Sequence, residues 1–538
     1  MDFTNFSLLY PNAEAKARHE SGKDTPDIDA FTLEELGLSE FLTVSGKGLS
    51  DFLTTDAEVI RYRNATFADL LACPALSEMM ERLVPVLNDI LELRHLEAEN
   101  GGEDYLSVLT EIELYISCVE ILHSSLAGEK VRLNSPAFRA LATLVADLAE
   151  SDYYRELNAK LGELTKRVRE IRSVTIGVNL DAQLRPEFAG VLSVNSEPFK
   201  SGDVLEKILR MNLKSDEYTC IAGLVPFGKK QNENQKAALS NAFHNAINEV
   251  YKSSLHSWKK IVQSYVLENT AFLLDLMPEF ELLVRGAGMM RALREKGYPL
   301  ALPEIRPMDE CTFAANGLYN PCVALKLEEK VVPNDLAFDE NARIYVLTGP
   351  NRGGKSVITC ALGLAQVLLQ LGMYLPAEKI VISPVDAIYT HFPTGAEDTI
   401  DKGRLGEECA RLGEIFDCVT PESLVLLDES LSSTGSYEAS YLAAEVLRGL
   451  AHVGCRCLFS THLHELAAQI EELNRASLAT GDAPIDTLVA GMEGEGKRSF
   501  RILRAKPDGK SYARDIAEGY GLTFEKIMDR LGDLAQKD

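Results

Sequence analysis

The chain has 538 residues, which is too long for one hydrophobic core and predicts about three or four domains. Hydrophobic residues make up 46% and charged residues 25%, as in folded proteins, and no apolar run approaches the ~20 residues of a membrane span, so we expect a cytoplasmic protein without a membrane partner. The formal net charge of −26 argues against nucleic-acid binding by the chain as a whole, because phosphate contacts depend on Lys and Arg, but it leaves room for a local basic face.

The first half of the chain is predicted to be mainly helical. Residues 1–60 are polar and irregular and receive no assignment. From 61 to 330, apolar residues recur mostly at three- and four-residue spacing, the period of helices that bury one face. The clearest pattern lies in 154–172, where a heptad-like stripe predicts a long helix. The stripe is formed by Leu157, Leu161, Leu164, Val168 and Ile171.

Basic residues lie beside this stripe, and two interpretations of them stay open. They are Lys160, Lys166, Arg167, Arg169 and Arg172. One interpretation is a face that contacts the phosphates of DNA, with Lys166–Arg172 at its centre. The other is an ordinary solvated face balanced by acids of the same helix.

A short β element interrupts the helical region. Val174, Ile176 and Val178 alternate with small or polar residues, and a second alternating stretch follows at 189–194. Alternation with period two is typical of a strand. We therefore predict a β-hairpin near 173–195.

The second half, from residue 331 to residue 538, changes to strands alternating with helices. The pattern predicts strands at 344–347, 379–382, 424–427 and 455–460. Helices are predicted at 357–371, 407–418 and 437–452. Such alternation indicates a mostly parallel α/β sheet.

The strongest signal of chemistry lies at 347–356, which matches the phosphate-binding pattern Gly-x-x-x-x-Gly-Lys-[Ser/Thr]. A strand precedes it and an apolar helix follows, so backbone N–H groups and the positive helix end meet where a triphosphate binds. We expect Lys355 to reach the β- and γ-phosphates and Ser356 to ligate Mg²⁺. The predicted nucleotide contacts are Gly349, Pro350, Asn351, Arg352, Gly353, Gly354, Lys355, Ser356 and Val357.

Two further strand ends add polar side chains to this loop. The apolar strand at 424–427 runs into Asp428 and Glu429, and the strand at 455–460 runs into His462. Since parallel strands end at one edge of a sheet, Asp428 is expected to hold Mg²⁺, Glu429 to polarise water and His462 to sense the γ-phosphate. A metal site formed by His462, His464 and Glu465 is the alternative.

Residues 348–356, 426–429 and 460–462 resemble the ATPase domain of the MutS family of DNA mismatch-repair proteins. Residues 509–522 are similar to that family's closing motif, which holds the ATPase dimer together. The resemblance is specific over about 331–534 and weaker upstream. It implies an ABC-type P-loop ATPase domain with C-terminal dimerisation helices, preceded by a helical core and lever with a small β insertion, that works with ATP and Mg²⁺ as a homodimer.

The chain departs from the family pattern in ways that bear on function. The roughly 60 residues before the helical region are too few for the mismatch-sensing domain, so we expect a short form that binds DNA by structure, without classical mismatch recognition. Where the family has a serine that reaches the partner's nucleotide, this chain has Leu405 in the predicted loop before the helix at 407–418. Arg404 is a candidate substitute.

The sequence therefore predicts an ATP-hydrolysing, DNA-binding clamp of the MutS family. Two alternatives stay open. The net charge favours a relative that acts on a protein or RNA partner. The leucine in place of serine favours a nucleotide-gated structural dimer with little hydrolysis.

Overall fold

The computed structural model describes residues 6–100, 105–128, 132–169, 173–183, 186–195, 225–226, 271–339, 342–392, 403–463, 466, 469–475, 481–493, 497–506 and 521–528. The chain divides into two compact units. The helical unit contains Ala75–Arg132 and Arg139–Met277, and the sheet unit contains Asn5–Pro74, Leu133–Phe138 and Pro278–Asp538. None of the described helices combines the length and the apolar composition of a membrane span. The domain boundaries at residues 60 and 330 stay predictions.

The helices and strands are numbered in chain order. The helices are α1 (Ala13–Glu20), α2 (Ala30–Glu35), α3 (Ala57–Ala72), α4 (Pro74–Asn100), α5 (Tyr105–Leu126), α6 (Pro136–Glu150), α7 (Asp152–Arg169), α8 (Met277–Glu295), α9 (Pro321–Lys326), α10 (Lys355–Gln370), α11 (Gly403–Cys418) and α12 (Ser436–Val453). The strands are β1 (Ser173–Leu180), β2 (Pro186–Asn195), β3 (Val225–Pro226), β4 (Glu304–Ile305), β5 (Phe313–Leu318), β6 (Asn334–Phe338), β7 (Ile344–Thr348), β8 (Lys379–Ile382), β9 (Ile388–His391), β10 (Leu424–Asp428), β11 (Arg456–Ser460), β12 (Ile485–Glu493) and β13 (Lys497–Arg504).

The helical unit buries the apolar stripes of α4 to α7. The largest of its buried side chains, Tyr115 on α5, is fully enclosed. The Tyr154 hydroxyl on α7 donates to the Ile116 carbonyl at 3.5 Å. Arg94 on α4 pairs with Glu111 on α5 at 2.7 Å. Three- and four-residue spacing thus produces packed helices, as the sequence predicts.

The strands predicted near 173–195 are present in this unit. β1 and β2 pair antiparallel, and β3 adds to β2 as a third strand. At the start of the predicted stripe on α7, Leu157 is buried. The side chains of Leu164 and Val168, and those of the basic face at Lys166–Arg172, lie outside the described residues, so the interpretations of that face stay open.

A six-stranded sheet dominates the sheet unit, in the order β13-β12-β7-β11-β10-β9. Its strands are parallel except β13, which pairs antiparallel with β12. Every residue of β7, β10 and β11 is buried, and the central residues of each strand are apolar, as expected for parallel strands covered on both faces. Helix α10 covers one face, while α11 and α12 cover the other.

The prediction of one sheet was wrong for the strand at 379–382. This strand, β8, belongs to a separate four-stranded sheet in the order β4-β8-β5-β6, where it pairs antiparallel with β5. The strand at this edge of the main sheet is β9, a four-residue strand that lies parallel to β10 and was not predicted. Alternating strands and helices therefore formed two sheets, because periodicity does not specify which strands pair.

The unassigned N-terminal residues belong to the sheet unit. The Leu8 backbone N–H donates to the Glu279 carboxylate at 2.7 Å, and the Leu8 and Leu9 side chains are fully buried. At the outer edge of β9, Asp27 forms a parallel bridge with Ala387. The Asp27 N–H donates to the Asp386 carbonyl at 2.7 Å. This stretch thus covers the edge of the main sheet.

Candidate functional site

The predicted phosphate loop connects β7 to α10 at the carboxyl edge of the main sheet. Gly349 has a φ of +142° and Gly354, at the start of α10, a φ of +94°. A Cβ on Gly349 would lie 2.7 Å from that of Ala490 on β12, so a side chain does not fit there. The loop therefore follows a path that requires glycine at fixed pattern positions, with the first turn of α10 pointing its N–H groups into it.

Lys355 is folded into this loop. Its side chain is 4% exposed and its Nζ donates to the carbonyls of Gly349 at 3.3 Å and Pro350 at 3.4 Å. Burial lowers the pKa of Lys355, and the carboxylates of Glu429 and Asp428 oppose that shift. Among the described residues, only neutral oxygens lie within hydrogen-bond distance of the ammonium, and an acid lies nearby. An anion entering the loop would meet a desolvated positive charge.

The two acids lie beside the loop, as the strand order predicts. Asp428 is opposite Ser460 in the ladder between β10 and β11, and Ser460 is opposite Leu347 in the ladder between β11 and β7. The Glu429 Oε1 lies 3.9 Å from the Lys355 Nζ. The structure therefore brings these side chains together.

The environment of Asp428 fits a divalent cation. The residue is 6% exposed, and its Oδ1 is buried without a hydrogen-bond partner in the described part of the chain. A buried carboxylate oxygen without a partner is costly unless a ligand satisfies it, and oxygen ligands are those that Mg²⁺ prefers. Ser356, the other predicted ligand, is exposed at the start of α10.

Glu429 is held in an unusual backbone conformation. Its φ is +48°, in the left-handed region, and its N–H donates to the Ser460 carbonyl at 2.8 Å. Such a conformation costs a non-glycine residue about 1–2 kcal/mol, so neighbouring contacts must fix it. The backbone of Glu429 is thereby fixed beside the loop, and its carboxylate lies next to Lys355.

His462 follows β11 and is exposed at the same edge. The N–H of the preceding Thr461 donates to the Leu347 carbonyl at 2.9 Å, which fixes where β11 ends. His464 and Glu465 lie outside the described residues, so the alternative metal site stays a prediction. Within the described part, no group of three or more metal-ligating side chains is present.

A cavity of about 380 Å³ opens beside the phosphate loop, and the sequence predicted little of it. Tyr319, Val332, Asn334 and Phe500 line it together with Lys355. Phe500 on β13 is 46% exposed and has a φ of +54°. No sequence motif marks Phe500, because it comes from a strand distant in the chain from the phosphate loop.

Asn334 ties the walls of this cavity together. Its Nδ2 donates to the Phe500 carbonyl at 3.1 Å, and its Oδ1 accepts from the Ile502 N–H at 2.6 Å. The amide therefore joins β6 of the smaller sheet to β13 of the main sheet. A cavity of this size lies within the range of about 300–1,000 Å³ typical of small-ligand sites.

The segment expected to contact the partner's nucleotide, residues 403–406, is helical and not the loop that the sequence predicts. Helix α11 begins at Gly403 and therefore includes these residues. Leu405 packs against the core between α11, α12 and the sheet. Transfer of an apolar side chain from water into the core lowers the free energy of the folded state. This explains why the helix extends back to Gly403. The side chain of Arg404 lies outside the described residues.

The predicted closing motif is described only in part. Residues 509–517 lie outside the described residues. The following segment is helical over 524–528 and carries the exposed side chains Leu522, Phe524 and Met528.

Comparison with known proteins agrees with this arrangement. The model for MutS domain V matches residues 345–502, which include the loop, both acids and Phe500. The model for the MutS2 N-terminal domain matches residues 55–291. The chain belongs to the MutS family. The ATPase-domain match therefore follows a mainly helical region, in the order that the sequence predicts.

Curated relatives in the family match over part of their length. The DNA mismatch repair protein MutS of Chloroflexus aurantiacus is 33% identical over 216 residues, 39% of this chain and 21% of that protein. The protein of the same name from Streptococcus thermophilus is 32% identical over 204 residues, 37% of this chain and 23% of that protein. The match thus spans about a fifth of the length of these relatives.

Proposed function

We propose that this MutS-family chain is an ATPase of the ABC type that works as a homodimer and uses ATP to control binding to DNA. The observation that carries the enzymatic part is the meeting of Lys355, Glu429 and Asp428 at one loop end. The DNA part is supported by the similarity to two DNA mismatch repair proteins.

The binding step uses the loop and the cavity. The loop N–H groups and Lys355 bind the β- and γ-phosphates, and the cavity takes the adenosine, with Phe500 as a stacking surface. Mg²⁺, when bound, neutralises phosphate charge and orients the triphosphate. Ser356 and Asp428 are the residues that would hold it.

The hydrolytic step is in-line attack of water on the γ-phosphorus, with cleavage of the bond to the ADP oxygen. Glu429 accepts a hydrogen bond from the water and orients it, since its carboxylate lies at the loop end, 3.9 Å from the Lys355 Nζ. Lys355 stabilises the charge that develops on the phosphoryl oxygens. His462, at the end of β11, detects the γ-phosphate.

The test of enzymatic function is steady-state ATP hydrolysis by the purified chain with Mg²⁺. We expect Lys355→Ala to abolish ATP binding and Glu429→Ala to bind ATP but lose turnover by at least about 100-fold, leaving an ATP-bound dimer. ATP binding is measured by equilibrium titration and dimer formation by light scattering. Ordinary turnover in Glu429→Ala would remove that residue from the mechanism.

The test of the DNA part adds duplex, branched and mismatched DNA and structured RNA to the same assay at low and physiological salt. Stimulation by duplex or branched DNA, without an extra response to a mismatch, would support structure-based DNA binding. Hydrolysis that ignores every nucleic acid would favour the protein-partner alternative, which the net charge of −26 supports. Absence of hydrolysis with intact ATP binding would favour the structural dimer, the alternative motivated by Leu405 in place of the family's serine.

A further inference from the structure

A buried histidine lies behind the proposed catalytic loop. His391 is the last residue of β9, is 3% exposed, and belongs to none of the recognised motifs. Its Nδ1 lies 2.8 Å from the Oγ of Ser430, which is 4% exposed. The Ser430 Oγ also lies 3.1 Å from the His391 carbonyl oxygen. Two hydrogen bonds therefore join the end of β9 to the residue that follows Glu429.

The direction of these bonds follows from the hydrogens available. The Ser430 hydroxyl has one hydrogen and donates it to the His391 carbonyl. The imidazole therefore donates its Nδ1–H to the Ser430 Oγ. Burial lowers the pKa of His391 to about 4, so the ring is neutral at neutral pH and this tautomer leaves the lone pair on Nε2.

The backbone around Ser430 needs such support. The residues on either side, Glu429 and Leu431, both have left-handed φ values, +48° and +63°. The Glu429 N–H is fixed to the Ser460 carbonyl on β11. On the other side of the loop, Leu431 is buried and Ser430 is bonded to His391. The loop is thus tied to the strands on both sides of β10.

We propose that His391 is a positioning residue for ATP hydrolysis, holding Ser430 so that the adjacent Glu429 keeps its carboxylate at the phosphate loop. This inference rests on the proposed function. His391 is buried behind the loop and is not among the residues that line the cavity beside it. It acts through the backbone, so its loss misplaces the carboxylate and leaves the nucleotide-binding groups intact.

The test compares single and double variants of the full chain in the ATPase assay. We expect His391→Ala and Ser430→Ala each to lower kcat about 10-fold or more, with the KM for ATP changed less than about twofold. The double variant should lose no more than either single one, because both remove the same bond. His391→Asn should recover most of kcat, since the Asn Nδ2–H occupies the place of the imidazole Nδ1–H.

Several outcomes would overturn the proposal. They are unchanged kcat in the alanine variants, a raised KM with kcat preserved, additive losses in the double variant, and His391→Asn as slow as His391→Ala. If His391→Ala does not fold, Ser430→Ala, which removes one hydroxyl, and His391→Asn decide the question. Absence of turnover in the unmodified chain would overturn the proposed function as well, whereas normal turnover that no variant changes would overturn this inference alone.

Discussion

At the scale of single residues, the proposed nucleotide site contains two buried charged groups whose desolvation is not offset by strong hydrogen bonds. Lys355 bonds to carbonyls of its own loop, and the Oδ1 of Asp428 is buried without a partner in the described residues. Each is unfavourable in isolation because desolvation is not repaid. A phosphate for the first and a cation for the second would satisfy both. Ligand binding is therefore expected to stabilise the sheet unit.

The stability of the sheet unit in acid depends in part on the buried His391. Its folded pKa of about 4 lies below the ordinary value of 6.5, because burial disfavours the charged ring. Between these values the unfolded chain binds more protons, so stability falls as the pH drops from about 6.5 to about 4, by about 3 kcal/mol. We expect His391→Asn, which does not titrate, to remove that loss, as measured by urea unfolding at pH 7.0, 5.5 and 4.5.

The control for this measurement is the exposed His462, changed to Asn in parallel. This variant removes one imidazole from the surface and keeps the buried one. If His391→Asn lost as much stability in acid as the unmodified chain, that result would contradict the lowered pKa of His391.

At the scale of elements, α10 packs so closely that one methyl group matters. A Cβ on Gly363 would lie 2.6 Å from the Leu36 Cδ2 and 2.7 Å from the Leu426 Cδ1. We expect Gly363→Ala to destabilise the sheet unit by about 1–3 kcal/mol through overpacking, despite the better helix propensity of alanine. Denaturant unfolding measures the change.

Gly413 on α11 is the matched control, since a Cβ there meets nothing within 4 Å. Gly413→Ala should stabilise by up to about 1 kcal/mol. Equal changes in stability at the two positions would show that helix propensity, and not packing, determines the effect of the substitution.

At this scale the sequence predicts some features correctly and gives no sign of others. The loop motif, both acids and the strand ends carry their own residue signals, and the strand at 379–382 and the helix at 437–452 were located to within one residue. No residue pattern indicates to which sheet β8 belongs, where α11 starts, or that Phe500 lines the cavity. Each of these depends on contacts between segments distant in the chain. Residues 6–53 looked irregular since their apolar side chains, such as Leu8 and Leu9, are spaced by tertiary packing and not by a helical or strand period.

At the scale of the whole molecule, the charge distribution bears on whether the chain binds DNA or another partner. The net charge of −26 repels phosphates at long range, so DNA binding requires a local basic face. If Lys166, Arg167 and Arg169 contact phosphates, replacing all three with Ala should reduce the slope of log K against log salt by about 0.9 for each phosphate that the protein no longer neutralises. Fluorescence anisotropy with labelled duplex over a salt series measures that slope.

The charge-matched control replaces Lys23, Lys47 and Lys379, which are exposed on the sheet unit. This variant has the same net charge as the first. If both variants keep the original slope, the three residues on α7 are an ordinary solvated face.

The pairing of Asp27 with the outer edge of β9 has a consequence for how the protein ages and is handled. An uncovered strand edge offers free N–H and C=O groups to a strand from another molecule. A protease that clipped the chain between Asp27 and α3, followed by release of the N-terminal piece, would leave the sheet edge bare and would remove the buried side chains of Leu8 and Leu9 from the sheet unit. The bare edge would favour self-association, so an early sign of such damage in a stored sample would be turbidity.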